Sequence, residues 1–201
     1  MTNIYNYLGI MKILKDFNQK KNFLKVIEKN LSKICLIYNG VKLKYVDILS
    51  YIIQINKYLV TNSLENKIVI TQFKNRLQAF VFYIAAIFSK TTICPLDPKL
   101  PQHRVKKIKK LIKARKIIKK INFGKKILSN TSSLNLNNHK FLITFSSGTS
   151  GNPKGIIHDS ENILGVSFSY SKIAKFNKNT RILHCMPEYY MAGIVNIFFS
   201  C

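Results

Sequence analysis

A short apolar run that leads directly into a glycine- and hydroxyl-rich loop constrains this chain more than any other feature. Residues Phe141–Thr144 are rich in β-formers and short, which is typical of a buried strand. The next eleven residues, 145–155, hold three glycines, four hydroxyl side chains and one lysine. Glycines let the backbone approach a ligand closely, and N–H groups, hydroxyls and an ammonium all attract phosphate oxygens. The segment therefore predicts a strand followed by a phosphate-binding loop.

The spacing within this loop excludes the P-loop of nucleoside triphosphatases. That motif needs a glycine, four residues and then Gly-Lys-Ser/Thr. Here Asn152 and Pro153 separate Gly151 from Lys154, and Gly155 follows the lysine. The proline removes a backbone donor, and no hydroxyl follows the lysine to bind magnesium.

Helical and strand patterns alternate along most of the chain. Apolar spacing predicts a helical arm of one or two helices over 9–30, and Asn39-Gly40 predicts a hairpin turn. Further helices are predicted at 45–61, 75–89, 101–116 and from Asp159 or Ser160 to Ala174, strands at 67–71, 91–94, 114–118 and 181–186, and a loop at 129–139. This alternation predicts an α/β fold with a largely parallel sheet flanked by helices.

The net charge of +25 would ordinarily suggest a nucleic acid or an anionic membrane as partner. The chain has 29 Lys but only 4 Arg, together with 29 Ile and 20 Asn, a bias towards residues with A/T-rich codons. Arginine is the usual choice for specific phosphate recognition, so we expect no specific nucleic-acid partner. The lysine-rich helix at 104–126 has two interpretations, a polyanion-binding face or a solvated face, of which the solvated face is the simpler.

The four cysteines, Cys35, Cys94, Cys185 and Cys201, show no paired spacing. This argues against a zinc site or a disulfide framework and favours the reducing cytoplasm. The longest apolar run, 79–88, is too short to span a bilayer, and the N-terminal residues show no signal-peptide pattern. We therefore expect a cytoplasmic protein without a transmembrane segment.

Residues 145–155 resemble the phosphate loop of the adenylate-forming superfamily, which comprises acyl-CoA synthetases, aryl-CoA ligases, peptide-synthetase adenylation domains and luciferases. That pattern runs aromatic, Thr/Ser, Ser, Gly, Thr/Ser, Thr/Ser, Gly, any, Pro, Lys, Gly, and every fixed position is filled here. Weaker resemblances lie at 40–49, 85–98 and 186–193. Lys90 stands where the family has glycine, so the turn there must be made differently or at some strain, and Tyr190 replaces the usual histidine.

The resemblance implies a ligase that joins a carboxylic acid to ATP, giving an acyl-adenylate, and then passes the acyl group to the thiol of coenzyme A or a carrier protein. It implies ATP and Mg²⁺ as cofactors, with the magnesium ligand beyond Cys201. Tyr190 and Gly193 would belong to the substrate pocket, although Tyr190 could equally be a core tyrosine. The phosphate contacts would come from Ser146, Ser147, Gly148, Thr149, Ser150, Gly151 and Lys154.

The resemblance also implies that the later magnesium, ribose and catalytic-lysine segments of the family are missing. We therefore expect a partial N-terminal domain of the adenylate-forming fold, incomplete at its C-terminus, with a helical arm at 1–32 and the AMP-binding portion at 33–201. Such a fragment should have little or no ligase activity alone. One alternative is a non-catalytic nucleotide- or partner-binding module, and another is a basic nucleic-acid-binding protein.

Overall fold

A computed structural model describes residues 26–124, 138–146 and 154–199. Residues 26–29 are helical and the chain turns at 30–32, but the part of the predicted helical arm before residue 26 lies outside the described residues, as does most of the predicted loop at 129–139. The boundary between an arm at 1–32 and a domain at 33–201 stays a prediction.

From residue 34 onward, the described residues form seven strands and five helices that largely alternate, as in an α/β fold. The helices are α1 (Tyr45–Thr61), α2 (Arg76–Phe88), α3 (Gln102–Leu111), α4 (Ser160–Ile173) and α5 (Met191–Phe199). The strands are β1 (Ile34–Tyr38), β2 (Val41–Lys44), β3 (Ile68–Thr71), β4 (Thr92–Pro95), β5 (Lys116–Ile118), β6 (Lys140–Ser146) and β7 (Lys154–Asp159).

The central sheet has five strands in the order β5-β3-β4-β6-β7. All its pairings are parallel except that of β6 with β7, so the predicted largely parallel sheet is confirmed. Helix α3 packs on one face through Val105 and Ile108, together with Ile70 and Cys94 of the sheet. Helices α1, α2 and α5 pack on the other face against residues such as Val69. The sheet is thus covered by helices on both faces, as parallel sheets require.

The hairpin of β1 and β2 turns at Asn39-Gly40, as predicted. Both turn residues have positive φ, +49° for Asn39 and +78° for Gly40, which suits the tight type I′ turn. Leu43 faces the core from β2 and so attaches the hairpin to the helical layer.

Four of the helices end in the same way, with a left-handed residue that is not glycine. Ser63, Lys90, Lys113 and Lys175 follow α1, α2, α3 and α4 with φ of 53°, 54°, 51° and 54°. In each case the next residue donates its N–H to the carbonyl three positions before the helix cap, for example Thr91 to Ala86 at 3.2 Å. This is the Schellman motif, in which glycine is the usual left-handed residue. The turn at Lys90 is therefore made with strain, in line with the sequence expectation.

Two sequence expectations need correction. The strand predicted at 181–186 is wrong, because residues 174–190 form a strand-free connection between α4 and α5. The helix predicted at 101–116 ends at Leu111, where Lys113 turns the chain into β5. Strand β7, just after the phosphate loop, was not anticipated. Among the described residues, no helix is long and apolar enough to cross a membrane.

Candidate functional site

The carboxyl ends of three parallel strands form one edge of the sheet. Thr71 of β3 lies beside Pro95 of β4, and Ile93 of β4 lies beside Leu142 of β6. In open α/β sheets this edge is where ligands ordinarily bind. The residues after these strands therefore define the candidate site.

A cavity of about 240 Å³ opens at this edge. Its wall combines apolar and aromatic side chains with three charged ones, which is the usual make-up of a small-molecule site. It is lined by Phe73, Lys74, Arg76, Ala79, Tyr83, Leu96, Pro98, Cys185, Pro187, Glu188 and Tyr189. The contributing segments are the start of α2, the corner after β4 and the connection before α5.

A buried hydroxyl pair lies beneath this cavity. Tyr83 of α2 and Thr71 of β3 have their hydroxyl oxygens 3.1 Å apart. Burial raises the pKa of Tyr83, so this phenol stays neutral. A neutral donor–acceptor pair satisfies both groups in the core and fixes α2 relative to the end of β3.

The corner after β4 is held by its own polar contacts. Asp97 Oδ1 accepts the Lys99 N–H at 2.8 Å, and the Asp97 carbonyl accepts the Gln72 side-chain amide at 3.0 Å. Gln72 is almost fully buried, and its Oε1 has no hydrogen-bond partner among the described residues. The corner thus ties the ends of β3 and β4 together.

Arg76 fastens the connection before α5 to the start of α2. Its Nε donates to Glu188 Oε1 at 2.5 Å, and its Nη2 donates to the carbonyls of His184 and Met186, each at 2.9 Å. These carbonyls would pair with a neighbour if 181–186 were a strand. Here the Arg76 guanidinium, more than a hundred residues away in sequence, donates to these carbonyls in place of a neighbouring strand. This long-range contact is why the strand prediction failed.

Glu188 is ionised in this cluster. Burial acts to raise its pKa, but contacts from His184 and Arg76 outweigh burial and hold the pKa below its ordinary value. His184 Nε2 lies 3.4 Å from Glu188 Oε1, within ion-pair range but without the direction of a proper hydrogen bond. Arg76 is therefore the partner that donates a direct hydrogen bond to this carboxylate.

The phosphate loop is bracketed by a β-hairpin. Ser146 ends β6 and pairs with Lys154, which begins β7, and Phe145 pairs with Gly155. Farther from the loop, Thr144 Oγ1 lies 3.0 Å from His158 Nε2. The two flanks of the loop are thus side by side at the same sheet edge as the cavity, and Lys154 is exposed there.

The other loop residues predicted to contact phosphate lie outside the described residues. They are Ser147, Gly148, Thr149, Ser150 and Gly151. Their roles stay predictions, as do those of Ser146 and Lys154.

The two residues predicted for the substrate pocket, Tyr190 and Gly193, differ in solvent exposure. Tyr190 is 56% exposed and does not line the cavity, but its ring centroid is 4.8 Å from that of Tyr189, which does. Gly193 is buried in the first turn of α5. A Cβ at Gly193 would lie 2.0 Å from the Pro187 carbonyl oxygen, so a side chain cannot fit there without moving the backbone. Gly193 thus allows the close approach that shapes this wall of the site.

Three residues of the cavity wall, Arg76, Tyr83 and Tyr189, are not among the site residues predicted from the sequence. One signal was available, because Arg76 is among only four arginines and Glu188 among only eight acidic residues in the chain. Rare charges of opposite sign next to apolar segments favour an ion pair. The large separation of Arg76 and Glu188 in sequence makes this pair hard to predict.

The profile of the AMP-binding enzyme family matches residues 23–201. The chain belongs to this family. Among curated AMP-binding relatives, it is 34% identical over 74 residues to a probable CoA ligase, CCL8, of Humulus lupulus, covering 37% of this chain and 12% of that protein. It is 30% identical over 59 residues to the malonate–CoA ligase of Arabidopsis thaliana, covering 29% and 10%.

Solved adenylate-forming structures share the fold of this AMP-binding chain. The o-succinylbenzoate CoA synthetase of Bacillus subtilis, bound to its acyl-adenylate, gives a TM-score of 0.74 at 16% identity over 89% of this chain and 52% of that one. The N-terminal subdomain of Klebsiella oxytoca NpsA gives 0.75 at 14% identity over 89% and 49%. The chain thus has the fold of the N-terminal portion of these enzymes and spans about half the length of these solved chains.

Proposed function

We propose that this chain supplies the nucleotide-phosphate site of an AMP-forming acid–thiol ligase. One observation carries the proposal: the phosphate-loop pattern at 145–155 is completely filled, and a hairpin holds its flanks, Ser146 and Lys154, at the sheet edge where the cavity opens. Membership of the AMP-binding family supports the same chemistry.

In the proposed reaction, a carboxylate oxygen attacks the α-phosphorus of ATP, and the bond from that phosphorus to the β-bridging oxygen breaks. Pyrophosphate leaves, and an acyl-adenylate forms. A thiolate then attacks the acyl carbon, the thioester forms, and AMP leaves. The difficulty in the first step is the approach of one anion to another, so positioned cations and N–H donors lower its barrier.

The residues of the loop suit that task. The ammonium of Lys154 would neutralise charge on the β- and γ-phosphates, and the hydroxyls of Thr149 and Ser150 would donate to their oxygens. Gly148 and Gly151 would let the backbone N–H groups approach closely. Since Lys154 forms no ion pair with any described residue, its charge is available to a nucleotide.

Magnesium would supply further charge neutralisation on the phosphates when bound. Across 26–124, 138–146 and 154–199, no group of three or more His, Cys, Asp or Glu side chains could hold a metal ion. Magnesium commonly binds through substrate phosphates and few protein ligands, so it would arrive with ATP.

On the acid side, we propose an acyl or aryl acid as substrate and coenzyme A or a carrier-protein thiol as acceptor. No aspartate lies in 181–199 to hold a substrate amino group. Tyr189, which lines the cavity and has the Tyr190 ring packed beside it, would form the wall nearest the acid. Gly193 would support this wall through the close approach of α5 to Pro187. The described cysteines Cys35, Cys94 and Cys185 are free thiols, which suits a reducing cytoplasm.

Because the chain spans about half the length of its solved relatives, we propose that turnover needs the rest of the fold that those relatives have. The 201 residues alone should bind nucleotide but form no acyl-adenylate. Acid-dependent pyrophosphate exchange by the purified chain, above a no-acid control, would contradict this part.

Calorimetric titration of the 201-residue chain with ATP tests the site itself. Lys154→Ala should weaken ATP binding about tenfold or more, because a charge-assisted contact to phosphate is lost. Lys57→Ala removes the same charge from the exposed face of α1 and should leave binding unchanged. Equal losses in the two variants would show that ATP responds to net charge and would refute the proposed site.

A further inference from the structure

Helix α3 carries three of its five cations on the face away from the sheet. Val105 and Ile108 pack against the sheet, while Lys106, Lys107 and Lys110 project from the opposite side of the helix. Lys113, just after the end of the helix, is also exposed and adds a fourth lysine. Helical periodicity thus makes a continuous cationic surface. We call Lys106, Lys107, Lys110 and Lys113 together the α3 face.

The charge density of this region exceeds the general lysine bias of the chain. Residues 99–120 contain eleven Lys or Arg among 22 residues, whereas the whole chain has 33 among 201. No Asp or Glu occurs between Asp97 and Asp159. A/T-rich codon usage raises lysine everywhere, so it does not explain a threefold local excess without any acidic residue.

These cations lack partners within the part of the chain that the structure describes. None of the eleven forms an ion pair there. Lys116 donates to Asn62 Oδ1 at 3.1 Å and lies over the Tyr58 ring, and it is the one member with a side-chain hydrogen bond there. The mutual repulsion of the remaining cations costs folding free energy, which an anionic partner would offset.

The chemistry of the α3 face favours a lipid surface over a nucleic acid. Nine of the eleven cations in residues 99–120 are lysines. A lysine ammonium is a point charge on a flexible stem without the planar fork that arginine uses for single phosphates, so it suits the general attraction to a layer of anionic head groups. Leu111, at the end of the same helix, is 59% exposed, whereas Val105 and Ile108 are buried. A cluster of four to eight basic residues on an amphipathic helix with an exposed apolar side chain is typical of peripheral membrane binding.

We propose that the α3 face docks this protein on a membrane surface rich in acidic phospholipids. The lysines would lie among the head groups and Leu111 would enter the acyl boundary. This inference is independent of the proposed ligase chemistry, because the phosphate loop and the α3 face share no residue.

Vesicle sedimentation of the 201-residue chain tests the proposal. Phosphatidylcholine vesicles with and without phosphatidylserine are compared at about 0.15 M ionic strength, where the Debye length of about 8 Å suppresses long-range attraction. The chain should bind only the phosphatidylserine vesicles. The variant Lys106→Gln, Lys107→Gln, Lys110→Gln, Lys113→Gln should bind at least tenfold more weakly, since each basic residue near the surface contributes roughly a fivefold factor.

A matched control removes four exposed lysines: Lys33→Gln, Lys42→Gln, Lys57→Gln, Lys172→Gln. Lys33 directly precedes β1, and the other three lie in β2, α1 and α4, elements whose apolar residues pack on the opposite face of the sheet. It has the same net charge as the α3 variant and should bind vesicles within about threefold of the unmodified chain, because the elements at its sites and α3 pack on opposite faces of the sheet. Leu111→Gln keeps all charges and should weaken vesicle binding several-fold. Circular dichroism checks that each variant folds.

Three outcomes would overturn the proposal. The first is equal binding to vesicles without phosphatidylserine. The second is an equal loss in the control variant, which would assign binding to net charge. The third is tighter binding to a single-stranded RNA, lost with the α3 lysines but unchanged in Leu111→Gln, which would assign the face to nucleic acid.

Discussion

Replacing Lys90 by glycine should stabilise this protein. Lys90 holds φ at +54° after α2, where its Cβ crowds the backbone, and non-glycine residues there pay about 1–2 kcal/mol. Glycine removes this cost. It also increases the conformational entropy of the unfolded chain, which destabilises the folded state by about 0.5–1 kcal/mol. The expected net gain in the free energy of unfolding is therefore about 0.5–1 kcal/mol. For a chain of 201 residues this raises Tm by about 1–4 °C.

The backbone contacts at Lys90 do not depend on its side chain. The Lys90 carbonyl accepts the Asn66 N–H at 3.2 Å, and Thr91 donates to Ala86 at 3.2 Å, so glycine keeps both bonds. Lys113 and Lys175 end α3 and α4 in the same conformation. Since the three lysines follow different helices and share no partner, their gains should add to about 1.5–3 kcal/mol in the triple glycine variant.

Urea unfolding followed by far-UV circular dichroism measures the effect, because the chain has no Trp. Lys90→Ala is the control, since it removes the same charge and stem but keeps the Cβ. It should show no gain. Lys57→Gly, within α1, should lose about 1 kcal/mol, as glycine does inside a helix. If Lys90→Gly is no more stable than Lys90→Ala, backbone strain at this position is not a real cost and the reasoning fails.

Two further predictions concern the wall of the cavity. Glu188→Gln should lower the free energy of unfolding by about 1–2 kcal/mol at pH 7, a value reduced because the Arg76 side chain is 42% exposed. The folded state lowers the pKa of Glu188, so the stabilisation is present above the unfolded pKa and is lost as pH falls through the folded value. Urea titrations should therefore show the gap between wild type and Glu188→Gln closing in acid, and a constant gap would rule out the ion pair as its cause. Gly193→Ala should cost about 3 kcal/mol or prevent folding, because its Cβ would collide with the Pro187 carbonyl. Gly124→Ala, whose Cβ has 3.5 Å to its nearest neighbour, should be tolerated in the same urea assay, and equal costs at the two glycines would refute the packing argument.

Local sequence patterns correctly predicted the helices and turns whose conformation is determined by neighbouring residues. The helix at 45–61 was placed at its observed bounds, and Asn39-Gly40 adopts the two positive φ angles that its turn needs. Strand β7 was missed because its Ile156-Ile157 pair is too short to show a period. Its strand character comes from pairing with β6.

The strand predicted at 181–186 failed for a long-range reason. Its apolar and β-favouring residues are adequate for a strand, but within the described ranges β7 is the last strand on that side of the sheet. Arg76 binds the His184 and Met186 carbonyls instead. No window of sequence contains both the arginine and its acceptors, so periodicity could not reveal the competition between them.

The strand order explains how one edge of the sheet could bind both substrates of the proposed adenylation step, the nucleotide and the acid. Because β4 lies next to β6, the corner after Pro95 is beside the point where β6 enters the phosphate loop. The pairing of Ser146 with Lys154 keeps that entry narrow, whatever path the loop takes between them. A triphosphate bound by the loop would thus lie beyond the end of β6, one strand from the corner that lines the cavity. An acid in the cavity would therefore lie at the same edge of the sheet as the nucleotide.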